Sequence, residues 1–350
     1  MPVPRESLPT LSLAPDRSRG TLASRFVPLS EVRAGFNANV MACVRFGRHN
    51  TCGDDPRDIP LTLHPMGMLD GEDGDEPPVE LWTSDRAVDF DRDEGVGYAK
   101  NGEFLFGHIY LLEVELGAMA AASFKAYARL TAFLERHGYP RLLRVWNFLS
   151  EINAGRNDQE RYRQFCLGRH QALAGTQGFE RQLPAATAIG MHEPGMLIYF
   201  LAAKNPGVQV ENPRQVPAFE YPREYGPRSP SFSRATYSRF GGVDHLLVSG
   251  TASVVGHATR HPDDTLLQVD ETMANIQALL AHSAQNHLEG RQWEPETLRL
   301  FLRDRSELPG VREKFRRILG PGVPLLLLEG DVCRTDLRVE IEGLYRSLPA

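Results

Sequence analysis

The sequence predicts an α/β fold of the α+β type, made of two tandem units in which a mixed sheet is backed by helices. Three observations lead there. Hairpin signals stand at Asn101-Gly102 and again at Gly241-Gly242, each between apolar runs. Each hairpin is followed by a long stretch with apolar residues at helical spacing. The order strand, strand, helix, strand, helix, strand, strand then recurs at a spacing of roughly 100 residues or more, which suits a duplicated domain rather than a solenoid.

The elements follow in order. Residues 1–35, rich in Pro, Ser and Arg, read as a tail or lead-in. Asp54, Asp55, Asp70, Glu72, Asp73, Asp75 and Glu76 make residues 50–95 read as a solvated acidic loop insertion. GVGYAKNGEFLFGHIYLLEV predicts the first hairpin. A helix is predicted from Ala118 to Arg136, with Phe124, Tyr127, Leu130 and Leu134 on one stripe and Gly138 and Pro140 ending it. RLLRVWNFLSEI reads as a strand, ERYRQFCLGRHQAL as a helix, and ATAIGM and GMLIYFLAA as two strands. The linker NPGVQVENPRQVPAFEYPREYGPRSPSF is rich in Pro but carries Phe219, Tyr221, Tyr225 and Phe232, which suits packing between the copies rather than a loose tether. From Ser231 the second hairpin begins. The helix VDETMANIQALLAHSA follows, with Val269, Met273, Ile276 and Leu280 on one face. TLRLFLRD, GVREKFRRILG, VPLLLLEGDV and DLRVEIEGLY complete the unit as strand, helix and two strands.

A chain of 350 residues with 41% hydrophobic and 24% charged residues suits a soluble protein of two medium domains, or one large one with a substantial core. No apolar run is long enough to span a bilayer, and residues 1–20 lack the apolar core of a signal peptide, so a cytoplasmic location is expected. The net charge of −6 argues against general attraction to nucleic acid or to anionic membrane. An anionic ligand must therefore be held by local arginines. Arg214, Arg223, Arg228, Arg234 and Arg239 cluster between Val208 and Phe240, a stretch with three Glu and no Asp or Lys. Cys43, Cys52, Cys166 and Cys333 lie far apart and predict reduced thiols rather than a zinc knuckle or a disulfide framework. His257 and His261 have the spacing of helical metal ligands, but HATRHPDD lacks the matching glutamate, so no metal is expected.

PSFSRATYSRFGGVDHLLVSGTAS, QVDETMANIQALL and DLRVEIEG resemble the opening strands, helix and closing strand of the RidA/YjgF family. That closing strand carries a functional glutamate, matched here by Glu340. The strand arginine of RidA deaminases has no counterpart in PLLLLEG, which weighs against imine deamination. A fuller resemblance, over most of the chain, is to the chorismatases. RVWNFLSEINA, ERYRQFCLGR, FEYPREYGPRSPSFSRAT, VSGTASVVGH and GDVCRTDLRVEIEG carry it, in that order. It implies two RidA/YjgF-like domains after the lead-in, a degenerate one over 36–220 and a catalytic one over 221–350. It also implies cleavage of chorismate to a hydroxybenzoate and pyruvate with no cofactor. In that family a catalytic glutamate lies seven residues after a position that differs between subtypes, here Glu340 and Cys333. A cysteine resembles the aromatising subtypes, which make 3-hydroxybenzoate or both 3- and 4-hydroxybenzoate. Arg169, Tyr221, Arg228, Phe232 and Gly250 are the substrate-binding residues the match implies. RidA proteins are trimers with sites between subunits, so a monomer or a homotrimer is expected. The alternatives are a RidA-like enamine/imine deaminase and a non-catalytic small-molecule-binding protein.

The residue types fit that chemistry. Apolar surroundings raise the pKa of a carboxylic acid, and Glu340, between Val339 and Ile341, could then deliver a proton to the enol methylene carbon of the substrate. Arginine forks suit its two carboxylates. Gly250 in SGTAS lets the backbone approach a ligand closely. Taken singly, Glu340 reads as a solvent-facing strand carboxylate with Glu342 on the same side. Cys333 alone reads as a small buried hydrophobe. The first copy has MLIYFLAA in place of LRVEIEGL, with no matching acid, and is expected to supply ligand contacts only.

Overall fold

The computed structural model describes residues 22–47, 54–71, 76–175 and 178–348. Two seven-stranded sheets dominate it. The first runs, in spatial order, Asp331–Val332, Ala185–Met191, Arg141–Ser150, Gly195–Ala203, Phe104–Leu112, Val96–Lys100 and Asp89–Asp93. The second runs Val208–Val210, Ala235–Phe240, Val243–Ala252, Val339–Ser347, Trp293–Leu302, Leu325–Glu329 and His64–Met68. Five strands of each sheet share one plan. The two hairpin strands are followed in space by the fifth, third and fourth strands of the unit, and the third and fourth are parallel. This is the repeated unit seen in the sequence.

Alternation along the strands sets the layers. In the first sheet Val145, Leu149, Ile198 and Phe200 pack under the helices Met119–His137 and Arg161–Leu173. Trp146, Phe148, Leu197 and Tyr199 face the opposite way. In the second sheet Val339, Ile341 and Leu300 pack under the helices Thr265–His287 and Leu308–Leu319. Leu247, Phe301 and Leu344 meet the inner face of the first sheet. The result is two sheets face to face, each with helices outside. The halves also exchange strands. Asp331–Val332 pairs with Ile189 and Gly190 of the first sheet, and His64–Met68 pairs with Leu325–Glu329 of the second.

The turns show what the hairpin signals meant. Gly241 and Gly242 both have positive φ between the paired Phe240 and Val243, as a two-residue primed turn requires. At the first hairpin Asn101 flanks the turn, and its side chain accepts from the backbone N–H of Glu103 and Phe104, leaving Gly102 as the positive-φ residue. Glu94-Gly95 forms a further tight hairpin turn, both residues at positive φ, that its composition does not announce.

Three expectations are corrected. The lead-in over 1–35 contains Leu22–Pro28, a strand paired along its length with Pro78–Ser84. Residues 1–21 lie outside the described residues, as do Cys52, Glu72, Asp73 and Asp75. The expected acidic loop instead supplies the strands Asp58–Leu61, His64–Met68, Pro78–Ser84 and Asp89–Asp93. Asp58 is neutralised by Arg45, and buried Glu80 by Arg299. Both partners lie outside the acidic stretch, with Arg299 at 219 positions from Glu80, which is why a charge-rich stretch can still be sheet. Leu22–Pro28, Pro78–Ser84, Val40–Phe46 and Asp58–Leu61 form a four-stranded sheet whose Leu22, Val44 and Trp82 pack into the core between the two large sheets. Val208–Val210, in the linker, pairs with Ala235–Tyr237 at the edge of the second sheet. Finally, Phe124 is 42% exposed. The rest of the expected stripe, Tyr127, Leu130 and Leu134, is buried, and the neighbouring helix comes close at Gly168, where a Cβ would lie 2.0 Å from the Ala120 carbonyl oxygen and 2.8 Å from Cβ of Ser123.

Candidate active site

The strand Val339–Ser347 turns Glu340 and Glu342 toward the junction of the two sheets. Neither is a surface carboxylate: Glu340 is 5% exposed and Glu342 2%. The carboxyl of Glu340 makes no hydrogen bond among the described residues. Burial, followed by the charge of Glu342, pushes its pKa from 4.5 to about 8, against the pull of Arg144 and Arg234. It is therefore mostly a neutral acid at neutral pH.

Its position depends on a bulge. The ladder between Val243–Ala252 and Val339–Ser347 slips between Val248 and Thr251, so Ser249 and Gly250 stand opposite Glu342 alone. Gly250 thereby comes against the acid, and a Cβ there would lie 1.9 Å from Oε1 of Glu340. The Gly250 N–H donates to Thr187 Oγ1 at 3.0 Å, across to the first sheet.

Cys333 follows the short strand that crosses to the first sheet. Arg303 gathers this turn, donating to the carbonyl oxygens of Val332, Arg334 and Leu337, while Asn153 donates to that of Cys333. The Cys333 thiol sits beside Tyr162 and Cys166 of the helix Arg161–Leu173. Burial pushes the pKa values of both thiols up to about 12 and that of the Tyr162 hydroxyl well above its usual value. This wall is uncharged at neutral pH.

A cavity of about 310 Å³ opens between Glu340 and that helix. Arg169, 3% exposed, lies in its wall with Nε and Nη2 lacking any partner among the described residues and its guanidinium 4.9 Å from the Tyr127 ring centroid. Arg234, 5% exposed, donates to the Tyr221 hydroxyl and the Val216 carbonyl and keeps Nε unpartnered. A buried polar nitrogen without a partner costs free energy, so two incomplete guanidinium groups around one cavity mark a place for an anion. Tyr221, Phe232 and Gly250 also line it. At the wall formed by the 333–337 turn, Arg334 stacks 4.0 Å from the Tyr225 ring centroid.

Of the residues expected at the site, Glu340, Cys333, Arg169, Tyr221, Phe232 and Gly250 come together here. Arg228 does not. It is exposed, outside the cavity lining and near His170. Arg234, Tyr162, Cys166 and Arg334 were missed. Arg234 was visible as one of the clustered linker arginines, but nothing in the sequence separates the buried one from its exposed neighbours. Among the described residues no group of three or more His, Cys, Asp or Glu is arranged to hold a metal. His257 lies by Tyr225 and Glu224, and His261 by Glu271. No described helix is long and apolar enough to cross a membrane.

A neutral buried acid facing incomplete arginines is an arrangement able to bind an anionic small molecule and give it a proton. Comparison with known proteins narrows this. The family model described as "Chorismatase FkbO/Hyg5-like, N-terminal" matches residues 80–202. A "3-hydroxybenzoate synthase" from Streptomyces hygroscopicus is 38% identical over 285 residues, 77% of this chain and 82% of that one. A "Chorismatase" from Streptomyces rapamycinicus is 36% identical over 278 residues, 77% of this chain and 83% of that one. A crystal structure of a chorismatase superposes with a TM-score of 0.82 at 31% identity, covering 93% of this chain and 98% of that one. The chain belongs to the chorismatase family.

Proposed function

We propose that this protein is a chorismate-cleaving lyase that releases 3-hydroxybenzoate and pyruvate. The observation that carries the reading is Glu340, buried, without a hydrogen bond and with its pKa raised to about 8, in a cavity walled by the partly unpartnered Arg169 and Arg234.

In this reading the arginines hold the two substrate carboxylates, each through charge-assisted bonds. Glu340 gives its proton to the enol methylene carbon, and the C3–O bond breaks with its electrons passing to the departing side chain, which leaves as pyruvate. The C4 oxygen attacks C3 and gives up its proton, forming an arene-oxide-like ring. Opening of that ring and loss of a ring proton yield the hydroxybenzoate. Two protons are released and one is spent on the methylene carbon, while ring opening takes up the other. Chorismate thus becomes hydroxybenzoate plus pyruvate with no water consumed. The thiol of Cys333 keeps water from C3, and its weak S–H donor meets the C4 oxygen.

Incubation of the purified protein with chorismate, followed by chromatography, is the test. Equal amounts of a hydroxybenzoate and pyruvate are expected. Release of no pyruvate would overturn the assignment.

A further inference from the structure

Glu340, Glu342 and Glu80 are buried carboxyl groups at the junction of the sheets, and Glu342 and Glu80 have taken Arg144 and Arg299. Glu342 accepts at Oε2 from Arg144 Nη2 at 2.5 Å and from the Thr187 hydroxyl. Its Oε1 accepts from Trp146 Nε1 at 3.1 Å and Arg299 Nη1 at 3.3 Å. Glu80 accepts from Arg299 Nε at 2.6 Å and from Nη2. Two arginines thus face two carboxylates, with the Tyr199 hydroxyl beside Arg299. The cluster is neutral without Glu340, and all seven side chains named from it are buried. Glu340 stands two residues from Glu342 on the same strand face and receives no hydrogen bond from either arginine.

Thr187 links the cluster to the site. Its hydroxyl donates to Glu342 and accepts from Arg144 Nη2 at 2.6 Å and from the Gly250 N–H. One donor and two acceptor positions are all a hydroxyl has, so this group is saturated. It fixes Gly250, which rests against the Glu340 carboxyl.

We propose that Glu342 is a positioning residue for Glu340: it engages Arg144 and Arg299 and holds both cations away, so that Glu340 faces the cavity as a neutral acid. This rests on the reading of Glu340 as the acid of the site. The groups that face Glu340 are Glu342 on its own strand, Arg144 on the strand Arg141–Ser150, Arg234 before Ala235–Phe240, Tyr162 on the helix Arg161–Leu173 and Cys333 in the preceding turn. Of these, Glu342 and Arg144 form the pair whose balance can be altered without touching the cavity arginines. Removing Glu342 leaves the Arg144 charge uncompensated beside Glu340, which favours the ionised acid. Removing Arg144 does the reverse.

The experiment is an infrared titration of the full-length protein, with the acid C=O band of Glu340 identified by its loss in Glu340→Gln. In Glu342→Gln the midpoint should fall by at least about one pH unit, a tenfold loss of proton affinity. In Arg144→Met it should rise. The alkaline limb of chorismate turnover should move in the same directions. A midpoint unchanged in Glu342→Gln overturns the proposal, because a residue that only packs would alter the melting temperature and leave the titration in place. If Glu342→Gln does not fold, Arg144→Met decides, and a midpoint that stays or falls overturns it. The infrared readout needs no substrate, so a protein that fails to cleave chorismate would refute the proposed function separately.

Discussion

Replacing Glu340 by glutamine should abolish turnover and stabilise the protein at alkaline pH. The carboxyl has a pKa near 4.5 when the chain is unfolded and about 8 in place. Between those values the unfolded chain releases a proton that the folded chain retains, so stability falls as pH rises. Below 4.5 there is no penalty, and above about 8 it is complete. Each pH unit in the window is worth about 1.4 kcal/mol, giving an upper bound of about 5 kcal/mol for this fully buried group. Glutamine keeps the shape and does not titrate, so Glu340→Gln should lose this part of the pH dependence. Denaturant unfolding of both proteins at pH 5 and pH 8 measures it, and the variant should gain stability relative to wild type by a few kcal/mol between the two. Turnover should fall by at least about 100-fold, the low end for loss of a general acid. A rate within a few-fold of wild type, or identical pH dependence of stability in the two proteins, would refute the reasoning.

Other substitutions separate the roles around the acid. Arg169→Met should lower kcat/KM for chorismate by about 100-fold or more, the worth of a bidentate charge-assisted contact, while Arg228→Met at the exposed position should stay within about twofold; steady-state kinetics on both decides. Cys333→Ala opens about the space of one water, so the dihydroxycyclohexadiene product should appear beside the hydroxybenzoate on chromatography, and an unchanged product ratio would reduce Cys333 to packing. Gly250→Ala places a methyl against Oε1 of Glu340, which is the mobile end of its side chain. The acid should rotate rather than the sheet shift, so the melting temperature should hold while the rate falls about tenfold and the product ratio changes.

How much of this the sequence disclosed follows the range of the interactions. The repeated unit was legible because hairpin glycines and helical periodicity are local. The strands Leu22–Pro28 and Pro78–Ser84 were not, because Glu80 reads as a charged loop residue until Arg299, 219 positions later, neutralises it. Asp331–Val332 merged in sequence with the apolar run before it, since nothing local says that the chain leaves one sheet for the other at Gly330. Glu340 and Cys333 came from family resemblance, and their own neighbours pointed to blander roles. The linker arginines were legible as a group. Which of them is buried depends on Tyr221 and the Val216 carbonyl receiving Arg234, a contact the composition does not encode.

The strand register explains why two similar units make a single acid site. Glu340 pairs with Phe301 in the second unit and Leu197 with Phe148 in the first, each on the inner face of its sheet. Both positions are buried toward the junction, and only the one in the second unit carries a carboxyl. The first unit contributes instead through Thr187 on its sheet and through the helix bearing Arg169, Cys166 and Tyr162. An acid at 197 would add another buried carboxyl to a cluster whose two arginines are already committed to Glu80 and Glu342. A buried carboxyl without a cation persists only as the neutral form, and the cluster already surrounds one such group. The asymmetry is therefore what lets the junction hold a proton donor and remain folded. On this reasoning Leu197→Glu should destabilise the protein more at pH 8 than at pH 5, and equal losses at both values would show that packing alone had been disturbed.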